Sequence, residues 1–554
     1  MIAFLHKQNC LQYNIINCKR SQTILAVKDF IVTKNKFLFF RSIIKSYMSL
    51  FRKKSVGILL AQAEESEKGL KRTLNAGNLV ALGIGAIIGA GLFVRTAAAA
   101  GEHAGPAVTI SFIVAAVGCA FAGLCYAEFA SMIPIAGSAY TYAYATMGEL
   151  IAWIIGWALI LEYALGAATV SISWSEYLNI LFNKSIPYEW CHSPFESLKD
   201  AAGIMHHGIM NIPALFILLL LSALLIKGTK ESASVNMIIV IIKVAIVIVF
   251  IAIGWGFIKT ANHTPYFIPA DAAPALMPNG SSYSYTDFFR HGWGGVLTGA
   301  GIVFFAFIGF DAVSTTAQEA KNPKRDMPIG ILGSLVVCTI LYILFSYVLT
   351  GVAPYQDFVK AGKEASVAYA IQTYMTGFGW LAKLVSFAIL LGFSSVILVM
   401  LMGQSRVFYT MSKDGLLPKI FQDLHPKFRT PYKSNMVLFV FVGLFAAFVP
   451  VSVAGDLTSI GTLFAFVLVC LGVMIMRKKE PNLKRGFKTP AVPLVPILGM
   501  IVCAAMIISL PNETLLSAFI WMIIGLFIYF LYSRKHSQLI AGGEILPSAS
   551  DFEK

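Results

Sequence analysis

The chain is 554 residues long, 57% of them hydrophobic and 13% charged, with a formal net charge of +15. That charged share is about half of the roughly 25% usual in soluble domains, which excludes a soluble globular protein. Lys and Arg gather in short loops between apolar runs, with no basic helix interleaved with aromatics, so the partner is membrane lipid and not nucleic acid.

Residues 1–47 contain eight Lys/Arg, one acidic residue (Asp29) and no long apolar run. Three readings fit them: a basic cytoplasmic tail, a targeting peptide, or a segment upstream of a true start at Met48, which opens "MSLFRKK"; the last is preferred. Residues 48–77 then form a cytoplasmic segment. Twelve apolar stretches follow, at 78–99, 106–131, 148–182, 211–227, 234–258, 295–317, 328–352, 378–411, 434–451, 457–475, 494–510 and 515–533. Each is near or beyond the length that spans a hydrocarbon core, and the third and eighth are long enough to be tilted.

The short loops expected inside carry Lys227 and Lys230, then Lys321, Lys324 and Arg325, then runs at 413–433 and 477–488. The outer loops are longer in total yet poorer in Lys and Arg, so both termini are expected in the cytoplasm. Five of the eight cysteines lie in apolar stretches, and Cys191, in an outer loop, has no partner there. No disulfide framework is expected, and His206-His207 reads as a solvated pair and not a metal site, which needs three or four convergent ligands.

The first stretch holds "GIGAIIGAGLF" (Gly83 to Phe93), and the sixth holds "GAGIVFFAFIGFD" (Gly299 to Asp311). A nucleotide-binding loop is excluded, because no βαβ unit surrounds the glycines. Close helix packing through Gly85-x-x-x-Gly89 is one reading. A helix that unwinds near the bilayer midplane explains more. The freed N–H and C=O groups must face protein, water or ligand, and paired broken helices mark a transporter with inverted repeats. The repeats would be 78–258 and 295–475, with 494–533 peripheral and 534–554 a cytoplasmic tail. N–H groups after the first break (Ala90, Gly91) would hold a carboxylate, and carbonyls around Phe305, Ala306 and Ile308 an ammonium.

Lys243 lies near the middle of the fifth stretch, where a lysine costs about 2.5–3.5 kcal/mol on insertion scales. It is roughly ten residues, or about 15 Å, from either end, too far to snorkel, so a proton-carrying role is expected. Glu162 reads as a pathway acid or as a neutral structural group. Asp311 reads as an N-cap after the second break, and Glu128 and Glu319 as interfacial. Ser394 and Ser395 could simply bond back to their own helix.

"GIGAIIGAGLF", "CAFAGLCYAEFASMIPIAGSAYTYAYATMGELIAWIIGW", "FFAFIGFDAVSTTAQEAKNPKRDMPIGI" and "GQSRVFYTMSKDGLLPKIF" together resemble the cationic amino acid transporter branch of the amino acid–polyamine–organocation superfamily, over about residues 48–535. The resemblance implies an all-α membrane protein with a LeuT-type fold of two inverted five-helix repeats plus two peripheral helices. It implies uptake of an L-amino acid with H+ as coupling ion and no cofactor. It assigns Ile87, Gly89, Ala90, Gly91, Phe305, Ala306 and Ile308 to substrate, with Phe305 as the gating aromatic. It assigns proton coupling to Lys243, surrounded by the carbonyls of Gly85 and Ile88 and the hydroxyls of Ser394 and Ser395. Many members read "WDLILEY" where this chain reads "WALILEY"; Ala158 replaces an acid, which weakens the case for basic cargo.

The expectation is therefore a proton-coupled L-amino acid permease of the cytoplasmic membrane, not an enzyme, working by alternating access as a monomer or an oligomer of undetermined order. An exchanger without net proton coupling is the alternative, and a non-transporting amino acid sensor a more distant one.

Overall fold

A computed structural model describes residues 52–55, 57, 59, 74–89, 91–133, 138–199, 204–227, 232–277, 280–361, 367–428 and 430–541. The expectations for residues 1–47, for Met48 and for Ala90 lie outside the described residues. Among the described residues all twelve apolar stretches carry helix, the first and sixth with interruptions. The main elements are α1 (Ala76–Ile87), α2 (Val108–Met132), α3 (Ser138–Thr146), α4 (Glu149–Ile160), α5 (Gly166–Leu181), α6 (Ile212–Lys227) and α7 (Ser232–Gly254). After a long loop come α8 (Gly292–Val303), α9 (Pro323–Val352), α10 (Gly379–Lys413), α11 (Tyr432–Phe448), α12 (Val451–Lys479), α13 (Leu494–Ile508) and α14 (Asn512–Ile528). Among the described residues, eight helical runs are long and apolar enough to cross a membrane, and α1, α6, α11 and α13 are shorter apolar helices. Two small antiparallel hairpins, Ser197–Lys199 with Met205–His207 and Ala275–Leu276 with Ser282–Tyr283, lie in the loops.

The molecule is a multi-pass membrane protein. Large apolar side chains such as Phe216, Ile241, Ile340, Phe519 and Phe527 stand exposed along α6, α7, α9 and α14, a surface that only lipid satisfies. The layering follows from this. In the apolar window of the run containing α8, 94% of residues are buried, against 22% in that containing α14, so α8 is central and α14 peripheral. α9 packs on α1 and α2, α10 on α5, and α12 on α13.

Two helices break at the centre. α1 ends at Ile87, Ile88 is extended (ψ 104°), and a π-turn, Gly91–Arg95, continues the chain. α8 ends at Val303, tightens into a 3₁₀ turn over Phe304–Phe307 and opens at Ile308 (ψ 137°). It then passes through Gly309 at φ +110° before a second 3₁₀ stretch, Asp311–Glu319. Only glycine takes that φ cheaply, and a Cβ there would also lie 3.0 Å from the carbonyl oxygen of Ala86. A third irregularity is the π-turn Leu161–Leu165 between α4 and α5.

Two sequence expectations need correction. Glu128 is not interfacial: it is 1% exposed, because the loop after α12 folds over the end of α2. Its carboxylate accepts Arg477 Nε and Nη2 (2.8 and 2.9 Å), Arg485 Nε (3.0 Å) and the Thr489 amide (2.8 Å). Asp311 does not cap a restarted helix from the preceding position. It is the first residue of the 3₁₀ stretch, and its Oδ2 accepts the Tyr163 hydroxyl at 2.5 Å.

Candidate functional site

The two breaks touch. A Cβ on Gly91 would lie 2.2 Å from Ala306 Cα and 2.5 Å from its amide nitrogen, so only glycine lets the two backbones approach this closely. Tyr342, on α9, ties them together: its hydroxyl lies 3.0 Å from the carbonyl oxygen of Ile87 and 2.9 Å from that of Ala306, sharing one proton between them. These carbonyls belong to chain ends that have lost their helical partners, which is why a side chain must meet them.

Lys243 reaches the same region from α7. It is 1% exposed, and Nζ donates to the carbonyl oxygens of Gly85 (2.6 Å) and Ile88 (3.0 Å), at the frayed C-terminal end of α1. A cation there meets the negative end of the helix dipole. On α10, Gly392 makes room for the lysine stem, since a Cβ would lie 3.3 Å from Lys243 Cδ. Ser394 turns its hydroxyl back to the carbonyl of Leu390 (2.9 Å), and Ser395 is buried beside it.

A narrow cavity with room for about one water molecule opens between the breaks. Its walls bring together Ile87, Gly89, Gly91, Phe305 and Ile308 from the sequence-expected set. Ala306 is not on the wall but stands behind it against Gly91. Ala86, Gly166, Val170, Val396 and Met400 complete the lining. Sequence reasoning missed these. Gly166 and Val170, like Val396 and Met400, are spaced four apart on one helix face, a pattern that any buried helix shows. The lining side chains carry no charge, so the site offers backbone dipoles to a polar end and an apolar pocket to the remainder of a small solute.

Glu162 is fully buried on the π-turn between α4 and α5, four residues before cavity-lining Gly166 and not itself on the wall, with its carboxyl group neighbouring that of Asp311. Ala158 is also buried there, its carbonyl against Gly461. Along the Gly91–Arg95 turn, Arg95 forms an ion pair with Asp456 near the start of α12, 5% and 8% exposed. A larger cavity, of about 240 Å³, lies between the end of α5 and the loop carrying Tyr188, Cys191 and His192.

Comparison with known proteins gives a consistent result. The family model described as amino acid permease matches residues 74–531. The chain is 45% identical over 493 residues to the branched-chain amino acid permease BcaP of Bacillus subtilis (strain 168), covering 89% of this chain and 99% of that one. It is 42% identical over 494 residues to the methylthioribose transporter of the same organism, with the same coverage. It is 34% identical over 437 residues to the vacuolar cationic amino acid transporter 4 of Arabidopsis thaliana, covering 78% of this chain and 68% of that one.

Proposed function

The chain belongs to the amino acid permease family, and on that premise we propose that it is a proton-coupled importer of L-amino acids with apolar side chains, branched-chain ones foremost. In this reading it sits in the cytoplasmic membrane with both termini inside. Twelve spans form two inverted five-helix repeats of LeuT type, 78–258 and 295–475, with α13 and α14 outside them. The paired breaks in α1 and α8, at matching places in the two halves, support that arrangement.

The observation that carries the reading is the meeting of the two breaks at Gly91 and Ala306 beside an apolar cavity. The substrate carboxylate rests on the N–H groups that begin the Gly91–Arg95 turn. The ammonium rests on the carbonyls of the cavity-lining Phe305 and Ile308. The side chain enters the pocket of Val170, Val396, Met400 and Ile308, which suits leucine, isoleucine or valine and gives no partner to a guanidinium. Phe305 closes over it.

Lys243 carries the proton. Charged, it pins the end of α1 through Gly85 and Ile88; neutral, it binds those carbonyls less strongly and α1 is freer to swing. Rocking of the broken helices against the remaining bundle then exposes the site to each side in turn, with amino acid and proton leaving together inside.

The similarity to a methylthioribose transporter favours a second reading, in which the cargo is that neutral sugar. One experiment separates them: uptake of radiolabelled leucine into proteoliposomes under an inward pH step, with isoleucine, arginine and methylthioribose as competitors. Concentrative leucine uptake blocked by isoleucine, and little affected by arginine or methylthioribose, is expected. Block by methylthioribose alone overturns the cargo. Uptake that requires internal amino acid overturns proton coupling in favour of exchange. Lys243→Ala is expected to abolish pH-driven accumulation while the protein elutes as a folded species; unchanged accumulation removes the lysine from the coupling step.

A further inference from the structure

We propose that the groove between α9 and α13, floored by α2, is a binding site for an anionic phospholipid. The phosphate is held at the basic end of the groove, and an acyl chain lies along its apolar floor. The inference rests on the lipid-facing surface of the molecule and is independent of the cargo proposed above.

Three helices build the groove. α9 and α13 pack on two flanks of α2: a Cβ on Gly123 would lie 2.7 Å from Leu335 Cδ1 and 3.6 Å from Leu332 Cδ2, and one on Gly118 would lie 3.0 Å from Val502 Cγ1. The face of α2 left between these contacts carries Ile113, Val117, Ala120 and Leu124, spaced i, i+4, i+7 and i+11 along one stripe. Ile113 and Val117 are 45% and 41% exposed. On α9, Arg325, Ile329, Leu332 and Val336 repeat that spacing, so the stripe that meets α2 at Leu332 runs out to Arg325. On α13, Leu498 and Leu494 lie one and two turns before Val502 and form the facing wall.

The loop after α12 closes one end of this groove. Thr489 Oγ1 donates to the carbonyl of Leu124 at 3.0 Å, and a Cβ on Gly486 would lie 2.8 Å from the carbonyl oxygen of Lys324, so the loop reaches from α2 across to the start of α9. Lys484 and Lys488 flank Gly486 and so join Lys324 and Arg325 there. All four are exposed, and none pairs with a carboxylate among the described residues. The nearby acids are occupied: Glu128 holds Arg477, Arg485 and the Thr489 amide, and Asp326, 6% exposed, accepts the Asn322 amide at 3.2 Å. Glu480 is the one acidic residue of the loop itself. Lys324 and Arg325 also stand in the first turn of α9, the end of a helix that favours anions over cations. A phosphate among the four relieves their mutual repulsion. The apolar floor starts at Leu124, where the loop ends, so a molecule with phosphate at one end and hydrocarbon at the other fits along the groove. A zwitterionic lipid brings an ammonium that the four cations repel; phosphatidylglycerol does not.

The test titrates the full-length protein, purified in neutral detergent, with phosphatidylglycerol and reads the lipid-bound fraction by native mass spectrometry. Phosphatidylcholine and inorganic phosphate are the comparison ligands. Three variants are measured beside wild type: Lys324→Gln/Lys488→Gln at the basic end, Val117→Trp on the floor, and Lys419→Gln/Lys427→Gln, which removes the same charge from the exposed loop between α10 and α11. Wild type is expected to bind phosphatidylglycerol saturably and at least about tenfold more tightly than phosphatidylcholine. The basic-end variant should bind it about thirtyfold more weakly, about fivefold for each lysine removed from beside a phosphate. Val117→Trp blocks the floor with every charge in place and should weaken binding by about threefold or more. The loop variant should bind as wild type does. Equal affinity for the two lipids overturns the proposal, as does equal weakening in the loop variant, which would make the effect one of general surface charge. Binding unchanged in Val117→Trp removes the groove from the site. Displacement of the lipid by millimolar inorganic phosphate assigns the basic end to a free phosphate and overturns the lipid. All substituted side chains are exposed, and each variant is first checked for a monodisperse elution profile; should one fail that check, the other two and the lipid comparison decide.

Discussion

At Gly91 a single hydrogen in place of a methyl decides whether two broken helices can meet. Gly91→Ala would drive a Cβ to 2.2 Å from the Ala306 backbone, which cannot rotate away as a side chain could. Overpacking of this kind costs about 1–3 kcal/mol or more, and the variant is expected to lose leucine binding and melt earlier in a thermal-shift measurement. Gly166→Ala makes a contrast within the same cavity. Its Cβ would meet Thr458 Cγ2 at 3.4 Å, an ordinary contact, so the protein should fold normally. The cavity shrinks by about one methyl group, and competition assays should show preference moving from isoleucine toward alanine, by about tenfold for one displaced methylene-sized group. Equal behaviour of the two variants would contradict the assignment of these walls. Sequence spacing marked Gly91 because four glycines interrupt one apolar run. It could not mark Gly166, a lone glycine whose neighbour Thr458 comes from a helix almost three hundred positions later.

Among elements, the breaks in α1 and α8 were legible because glycine clusters in membrane helices demand a reason. Their partner was not: Tyr342 is one tyrosine in an apolar helix, and only packing aims its hydroxyl at Ile87 and Ala306. The C-terminal end of α2 teaches the same lesson in charge. Glu128 near a span end reads as a solvated acid, yet the loop bearing Arg485 closes over it, and it meets two guanidinium groups, that of Arg485 and that of Arg477 at the end of α12. Glu128→Ala leaves Arg485, 2% exposed at its side chain, without this counterion. Breaking a buried pair from one side costs roughly 3–5 kcal/mol, so a large fall in melting temperature is expected, with leucine affinity in the surviving folded fraction unchanged. A melting temperature equal to wild type would show that the cluster carries no stability.

On the scale of the whole molecule, distant parts of the chain meet at Asp414, after α10. Its carboxylate accepts Lys54 Nζ at 2.7 Å and the Tyr140 hydroxyl of α3 at 2.8 Å, and its carbonyl accepts the amide of Gln538 at 3.1 Å. The segment before α1, the short helix α3 and the segment beyond α14 are thereby fastened to one corner. Asp414→Asn keeps the shape but removes the charge that compensates buried Lys54, 6% exposed. The corner should loosen. Limited proteolysis of the loops at this corner is expected to quicken about tenfold, with leucine affinity unchanged. Unaltered proteolysis would mean that α3 and α10 hold the corner without the ion pair.

Hydrophobic content, span lengths, the distribution of Lys and Arg and the interrupted glycine runs determined by themselves that this is a multi-pass helical membrane protein with two broken helices, and four long motifs pointed to its family. These are local properties: lipid solvation, backbone satisfaction and helix propensity act on contiguous residues. Tertiary structure alone decided which apolar side chains wall the cavity, that Tyr342 bridges the breaks, and that Arg95 finds Asp456 and Glu128 finds Arg485. In those cases the energy lies in contacts between residues hundreds of positions apart, and nothing in either segment alone records its partner.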